Sequence, residues 1–255
     1  MYFKTTDSLI TEVLAVSCGW NKLINLMGHI LDNMIWNAIT TGNNDIAVIN
    51  GDVGYYLPDI APFAAMKMFN DTNLKKLYEF IPANKTVAIS SLNKMDHDES
   101  RWQLIQPMEG IQMVYEDAVD TFTTRNSSLI VPLSAEHVPQ MMELTALTKP
   151  GPFLQKTIRF NNYFGIFVEG QLAAMAGQRM HPVPFMEVSA VCTHPDFRGR
   201  GYAKTLMLHI MKIILDNSFT PFLHVLSNNF DAIELYKTIG FRTRTQIFID
   251  VIQRA

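Results

Sequence analysis

Val191-Cys192-Thr193-His194-Pro195-Asp196-Phe197-Arg198-Gly199-Arg200-Gly201-Tyr202-Ala203 is the stretch on which the reading of this chain turns. The part before His194 reads as a buried strand, and Arg198–Gly201 as a tight turn. From Tyr202 onward apolar residues recur at Ala203, Leu206, Met207, Ile210 and Ile213–Ile214, the rhythm of an amphipathic helix. Strand, glycine turn and helix start together form a cradle for phosphate. The first N–H groups of a helix lack intrahelical partners, and the helix dipole favours negative charge there. Gly199 and Gly201 let the backbone come close to a ligand, Ala203 leaves the first turn uncrowded, and Arg198 and Arg200 add charge at the rim. The dinucleotide fingerprint is absent, since Lys204 stands where a third glycine would be, and no G-K-[ST] follows to make a P-loop.

Working outward, Leu129–Leu133 reads as a strand, and Ser134 as the cap of a helix running to about Leu147. His137 occupies the position of the capping-box glutamate, which leaves that box incomplete. K-P-G-P-F, Lys149–Phe153, breaks the helix. Strands at Tyr163–Val168 and Gln171–Met180 flank a Glu-Gly turn, and a strand at Met186–Thr193 leads into the glycine turn. The helix after it reaches about Asn217. A strand at Phe222–Ser227, a helix from Phe230 to Ile239 stopped by Gly240, and one or two strands over Phe241–Ile252 complete the order. Strands linked by crossover helices predict an α/β (α+β) domain.

The first half carries no sharp chemical motif. Lys22–Thr40 reads as helix around Gly28, and Asp45–Tyr56 as a hairpin turning at Asn50–Asp52. Helical spacing follows at Ala61–Phe69 and Leu74–Phe80, and strands at Thr86–Ser90, Trp102–Gln106 and Ile111–Tyr115. The polar stretch Asp117–Ser128 is the natural linker. It separates a smaller α+β domain over residues 1–120 from a second over 129–255.

Composition sets further bounds. The 255 residues are 48% hydrophobic and 18% charged, enough apolar material for a sizeable core. Net charge is −3, but unevenly distributed: residues 129–255 hold 12 Lys/Arg against 9 Asp/Glu, and residues 1–128 hold 9 against 15. A mildly positive second half suits a small anionic ligand and falls far short of a nucleic-acid footprint. Cys18 and Cys192 are the only cysteines and suggest no disulfide framework. No apolar run reaches membrane-spanning length. Leu9–Cys18 faintly resembles a secretion signal but is interrupted by Glu12, so a cytoplasmic, non-membrane protein is expected. His181, His209 and His224 show no metal-ligand spacing, and no metal is expected.

The glycine turn resembles the coenzyme A-binding motif of the GNAT acyltransferases, [QR]-x-x-G-x-[GA], with Arg198, Gly201 and Ala203 at its defined positions. A second stretch, Asn229 to Phe241, is similar to the later GNAT motif N-x-x-A-x-x-x-Y-x-x-x-G-F. Asn229, Ala232, Tyr236, Gly240 and Phe241 match it throughout. The resemblance covers residues 129–255. Within it, M-E-V-S-A-V-C-T-H-P-D and P-G-P-F are similar to the subgroup related to the C-terminal half of glycine acyltransferases, whose extra N-terminal half resembles a degenerate copy of the fold.

The resemblance implies a mixed sheet with two splayed central strands, here Met186–Thr193 and Phe222–Ser227. Acetyl-CoA would act as acyl donor and an amine as acceptor, a small molecule rather than a protein lysine or N-terminus. The backbone of Val191, Cys192 and Thr193 would pair with the pantetheine arm. Arg198, Gly199, Arg200, Gly201, Tyr202 and Ala203 would hold the pyrophosphate. Asn229 matches a position near the pantetheine and can equally cap its own helix. Tyr236 matches the position of the acid that protonates the leaving thiolate, and can also be a buried aromatic on an apolar helix face. Glu187 is the candidate base, eleven residues before Arg198. Strand alternation would put Glu187, Ser189, Val191 and Thr193 on one face, and an ion-paired strand start is its alternative role.

An amine of pKa near 10 needs about 4 kcal/mol to lose its proton at pH 7, so Glu187 would require a raised pKa or a water relay. The Lys149–Phe153 loop falls where GNAT folds form the acceptor pocket, with Phe153 or Lys149 as lining. The acidic first half could draw a cationic acceptor. An acyl-CoA-binding protein without turnover is the alternative function.

Overall fold

The computed structural model describes residues 28–117 and 126–254. The segment Leu9–Cys18 and residues 118–125 of the Asp117–Ser128 linker lie outside the described residues. Two sheets are present among those described. In the smaller, β1 (Ala47–Asn50), β2 (Val53–Tyr56) and β3 (Ala64–Met66) run antiparallel, with the expected turn at Gly51–Asp52. The helix expected over Ala61–Phe69 is instead β3 and its flanking loops. Ala64, Ala65 and Met66 are all buried, and so short an apolar run looks the same as strand or helix by spacing alone. A bridge from Phe63 to Ala88 ties this sheet to the larger one.

The larger sheet has eight strands: β4 (Thr86–Ser91), β5 (Trp102–Tyr115), β6 (Ile130–Pro132), β7 (Phe164–Val168), β8 (Gln171–Gln178), β9 (Phe185–Thr193), β10 (Thr220–Leu226) and β11 (Phe241–Arg254). Their order is β4-β11-β5-β10-β9-β8-β7-β6. The two short strands expected between Trp102 and Tyr115 are one strand of 14 residues. It lies between β10 and β11, antiparallel to both. Strands from before and after residue 117 therefore alternate within one sheet. At Gly110 β5 passes close to its neighbours: a Cβ there would sit 3.2 Å from the Val225 carbonyl oxygen and 3.3 Å from Ile247.

Among the described residues five α-helices accompany the sheets: α1 (Met34–Thr40), α2 (Asp71–Phe80), α3 (Val138–Thr148), α4 (Tyr202–Asp216) and α5 (Phe230–Thr238). Val138, Met141 and Leu144 of α3 pack on one face of the large sheet, together with Leu31, Met34 and Ile35 from the start of the described chain. Leu206, Met207, Ile210 and Ile214 of α4 and Ile233 of α5 pack on the other. Each helix presents the stripe its 3.6-residue spacing prescribes. His137 completes the capping box at the start of α3 after all: its Nδ1 accepts from the Ser134 amide at 3.0 Å. An imidazole nitrogen can do the work of the carboxylate.

Candidate functional site

The glycine turn forms as expected. Pro195–Phe197 makes one 3₁₀ turn, Arg198 is extended, and Gly201 caps α4. Gly199 at φ +75° and Gly201 at φ +79° occupy the left-handed region, which side chains with a Cβ rarely adopt. The turn has open space around it: a Cβ on Gly199 would meet nothing within 4 Å. Backbone conformation therefore demands glycine here, and packing does not. The first backbone bond of α4 runs from Thr205 N to Gly201 O at 3.0 Å. The Tyr202, Ala203 and Lys204 amides precede it and have no intrahelical carbonyl to bond. Asn126 Nδ2 donates to Arg200 O at 3.0 Å and pins the turn from outside. Arg198 and Arg200 are exposed, and the Arg200 guanidinium lies 5.1 Å from the Phe197 ring centroid. Tyr202 is buried in the core, so its contribution to a ligand is its amide.

Beside the turn the sheet opens. β9 and β10 are parallel and pair only at Phe185–Thr220, Met186–Pro221 and Glu187–Phe222. Beyond that, β9 stays with β8 and β10 with β5, and the facing edges of Val188–Thr193 and Leu223–Leu226 separate. The cause sits in β9. Its register with β8 slips between Met175–Cys192 and Gly177–Ser189, and Ala190 has φ +53°. This is a β-bulge, which bends the strand and increases its twist.

The bulge also changes which residues share a face. Val188 and Val191 both join the core beneath α4, whereas Cys192 joins the core beneath α3. The expected alternation of Glu187, Ser189, Val191 and Thr193 on one face fails, because one inserted residue reverses the parity of everything after it. The gap between the strands leaves backbone groups of Val191, Cys192 and Thr193 able to pair with an extended ligand, as an added strand would. Thr193 Oγ1 is buried without a hydrogen-bond partner among the described residues, which fits a group arriving in that gap.

Asn229 and Tyr236 come from α5. Asn229 caps it, its Oδ1 accepting from the Ala232 amide at a long 3.4 Å. Tyr236 is buried, and burial together with the nearby Cys192 raises its hydroxyl to about 12, so it stays protonated and can donate. Burial likewise pushes the Cys192 thiol up to about 11, which removes it as a nucleophile at neutral pH.

Glu187 lies at the fork itself and is fully buried. Arg179 holds it with both arms, Nε to Oε2 at 2.8 Å and Nη2 to Oε1 at 2.7 Å. His224 Nδ1 stands 2.8 Å from Oε1, and the Met180 amide 3.2 Å from Oε2. Burial alone would raise this carboxyl, but the Arg179 charge, its hydrogen bonds and that from His224 outweigh burial and hold it well below the ordinary carboxylate range. A direct base needs the opposite shift, so the environment of Glu187 matches the ion-paired alternative.

The cluster continues through the sheet. Gln112 Nε2 on β5 meets His224 Nε2 at 3.0 Å and donates to Leu31 O at 3.1 Å; Gln112 Oε1 accepts from Arg244 Nε, and Arg244 Nη2 pairs with Asp32. Arg244 owes this direction to a second bulge, where the β11–β5 register slips between Thr243 and Thr245. Phe63, 5.0 Å from the Arg179 guanidinium, and Tyr56 close the cluster on the side of the first half.

The sequence reading missed Arg179 and His224. The signal was available: both are ionisable residues in otherwise apolar strands, the same anomaly that singled out Glu187. The Pro150–Phe153 loop follows α3 and packs over a narrow cleft with Tyr163, Arg179, Ser189 and Ala190. Phe153 lines it, and Lys149 instead ends α3 in the left-handed conformation. Among the described residues no cluster of His, Cys, Asp and Glu could hold a metal, and no helix is long and apolar enough to cross a membrane.

Comparison with known proteins agrees with this geometry. Residues 163–249 match the family model for FR47-like protein. A solved structure from Novosphingobium aromaticivorans, assigned to the GNAT family of acetyltransferases, is 29% identical with a TM-score of 0.82, covering 89% of this chain and 100% of that one. A GCN5-related N-acetyltransferase from Kribbella flavida shares the fold at 11% identity and a TM-score of 0.53, over 85% of this chain and 95% of its own. A Drosophila protein does so at 17% identity and 0.55, over 78% and 73%. No curated protein sequence matches the chain. The chain has the GNAT acyltransferase fold.

Proposed function

We propose that this chain, folded as a GNAT acyltransferase, transfers an acetyl group from acetyl-CoA to the amine of a small molecule. The carrying observation is the coincidence of the β9–β10 fork with the glycine turn: an unpaired strand edge runs directly into a cluster of unpartnered helix-start amides. Val191, Cys192 and Thr193 would pair with the pantetheine arm, and the Arg198–Ala203 turn would hold the pyrophosphate. Asn229 would sit beside the arm while capping α5. Bound there, the donor supplies an activated acyl carbon and a thiolate leaving group.

The chain's own contribution is position and polarity. Backbone N–H groups at the bulge can face charge developing on the acyl oxygen. Tyr236, protonated throughout the physiological range, donates a hydrogen bond to the departing sulfur. Glu187 acts through Arg179 and His224 by holding β8, β9 and β10 together where they diverge, and the acceptor amine reacts from its neutral fraction. The clamp on Glu187 is also the one observation that favours an acyl-CoA-binding protein without turnover.

Calorimetric titration with coenzyme A, followed by an amine panel assayed for thiol release, separates these readings. Micromolar binding with turnover of at least one amine is expected. Binding without turnover across the panel selects the second reading, and absence of binding overturns both.

A further inference from the structure

Glu187 and His224 have the make-up of a base dyad, a carboxylate orienting an imidazole, and they lie at the fork between β9 and β10. Whether the pair can move protons depends on where the imidazole carries its own. Hydrogen-bond polarity along the chain of side chains from Asp32 to Glu187 decides this, because both ends are single-valued. The Arg179 charge holds Glu187 ionised, and an ionised carboxylate only accepts. His224 Nδ1, 2.8 Å from Oε1, therefore bears a hydrogen. Together with the Arg179 and Met180 donors it fills the accepting positions of both carboxylate oxygens.

At the other end Arg244 only donates. Its Nη2 donates to Asp32 Oδ1, while Asp32 Oδ2 accepts from the His29 amide at 2.8 Å. Its Nε donates to Gln112 Oε1. Turning the Gln112 amide over would set its NH2 against the Arg244 N–H and its oxygen against the Leu31 carbonyl, where Nε2 now donates at 3.1 Å. The second Nε2 hydrogen faces His224 Nε2 at 3.0 Å. A hydrogen on that ring nitrogen would confront it, so His224 Nε2 presents its lone pair. Gln112 is fully buried, which denies the ring a water in its place. The ring is itself buried and meets Phe222 edge-on at a centroid distance of 5.4 Å.

Charge balance agrees. Asp32 pairs with Arg244 and Glu187 with Arg179, and Gln112 and His224 bridge the two pairs. A second hydrogen on His224 would add an uncompensated charge to a buried cluster.

We propose that Gln112 is a positioning residue of the fork: it occupies the one lone pair of His224, which keeps a single hydrogen on Nδ1, so that the imidazole clamps β10 to β9 and cannot serve as a base. Gln112 comes from β5 and Asp32 from the 3₁₀ turn Ile30–Asn33 ahead of α1, so the first half of the chain contributes to the site by setting the state of a side chain in the second. The bearing on catalysis rests on the acyl-transfer reading; the placement of the hydrogen does not.

The test is 15N NMR of the histidine side chains in the free protein at pH 7, with His224 assigned by the loss of its signals in His224→Asn. In wild type, Nδ1 should be protonated, Nε2 unprotonated, and Nε2 coupled across the hydrogen bond to the Gln112 side-chain nitrogen. In Gln112→Glu a carboxylate replaces that donor, and the Nε2 resonance should shift into the protonated range. A hydrogen on Nε2 in wild type, or an unprotonated Nε2 without coupling to Gln112, overturns the assignment. So does a Gln112→Glu protein whose His224 signals match wild type. Should Gln112→Glu fail to fold, the wild-type spectrum decides alone. The spectra need neither acyl donor nor amine, so binding of coenzyme A without turnover would sink the acyl-transfer reading and leave the placement of the hydrogen standing.

Discussion

Glu187 lies on β9 and the glycine turn follows that strand, eleven residues on, yet the turn and the Glu187 cluster are built in opposite ways. The turn is local, exposed and made of backbone: six consecutive residues create it, and glycine is demanded by φ alone. The cluster is non-local, buried and made of side chains. Asp32, Gln112, Arg179, Glu187, His224 and Arg244 arrive from four separate strands, the residue that follows β8 and the 3₁₀ turn Ile30–Asn33. The turn is suited to hold a ligand and the cluster to hold the sheet. Substitutions in the two should accordingly fail in different currencies, affinity for one and stability for the other.

The sharpest way to break that contrast is Glu187→Gln. It leaves the Arg179 guanidinium buried without its counter-ion, and should cost about 3–5 kcal/mol in denaturant unfolding. If the variant unfolds like wild type and loses only turnover, the cluster is catalytic after all. Next comes Gly201→Asp, which sets a carboxylate against the proposed pyrophosphate site and strains the turn. Coenzyme A affinity should fall about 100-fold, roughly 2.7 kcal/mol, in a calorimetric titration, with the fold retained by circular dichroism. Tyr236→Phe should lower kcat about 10-fold or more and leave coenzyme A binding intact. Wild-type kcat should show no downward limb from this group below pH 10, since burial holds it near 12.

The pH dependence of stability probes the cluster more gently. The folded Glu187 carboxyl titrates below its unfolded value near 4.3, so its contribution is complete above that value and is lost as pH falls through the folded one. The stability gap between wild type and Glu187→Gln should therefore be constant from pH 7 to 5 and shrink below about 4. A gap that instead widened under acid would mean the carboxyl is not held ionised. The smallest effect belongs to Asn229→Ala, about 1 kcal/mol of helix stability from the lost cap. An accompanying rise in the Kd for coenzyme A would show that Asn229 serves both helix and ligand.

How much of this was legible follows the same division. The turn, the helix after it, Asn229 as a cap and the fork strands were all readable, because each depends on neighbours a few residues away. Ala190 was not: a bulge leaves no composition signal when the inserted residue is alanine, and missing it reversed the predicted face of Val191 and Thr193. Nor was the clamp on Glu187. Its partner Arg179 is eight residues distant across a hairpin, and His224 is brought beside it only by the pairing of β10 with β9. β3 was mistaken for helix because its three buried residues carry no period at all.

The place of β5 has a consequence for how the molecule is made. Trp102–Tyr115 leaves the ribosome well before Thr220–Leu226 and Phe241–Arg254, the two strands that flank it. Until they follow, both edges of a 14-residue strand carry unpaired hydrogen-bonding groups, a template for association with another chain. The sheet can close only around a segment made early and used late, so the contacts that complete it span more than 100 residues. Folding should be slow for the chain's length and sensitive to whatever shields that strand during synthesis.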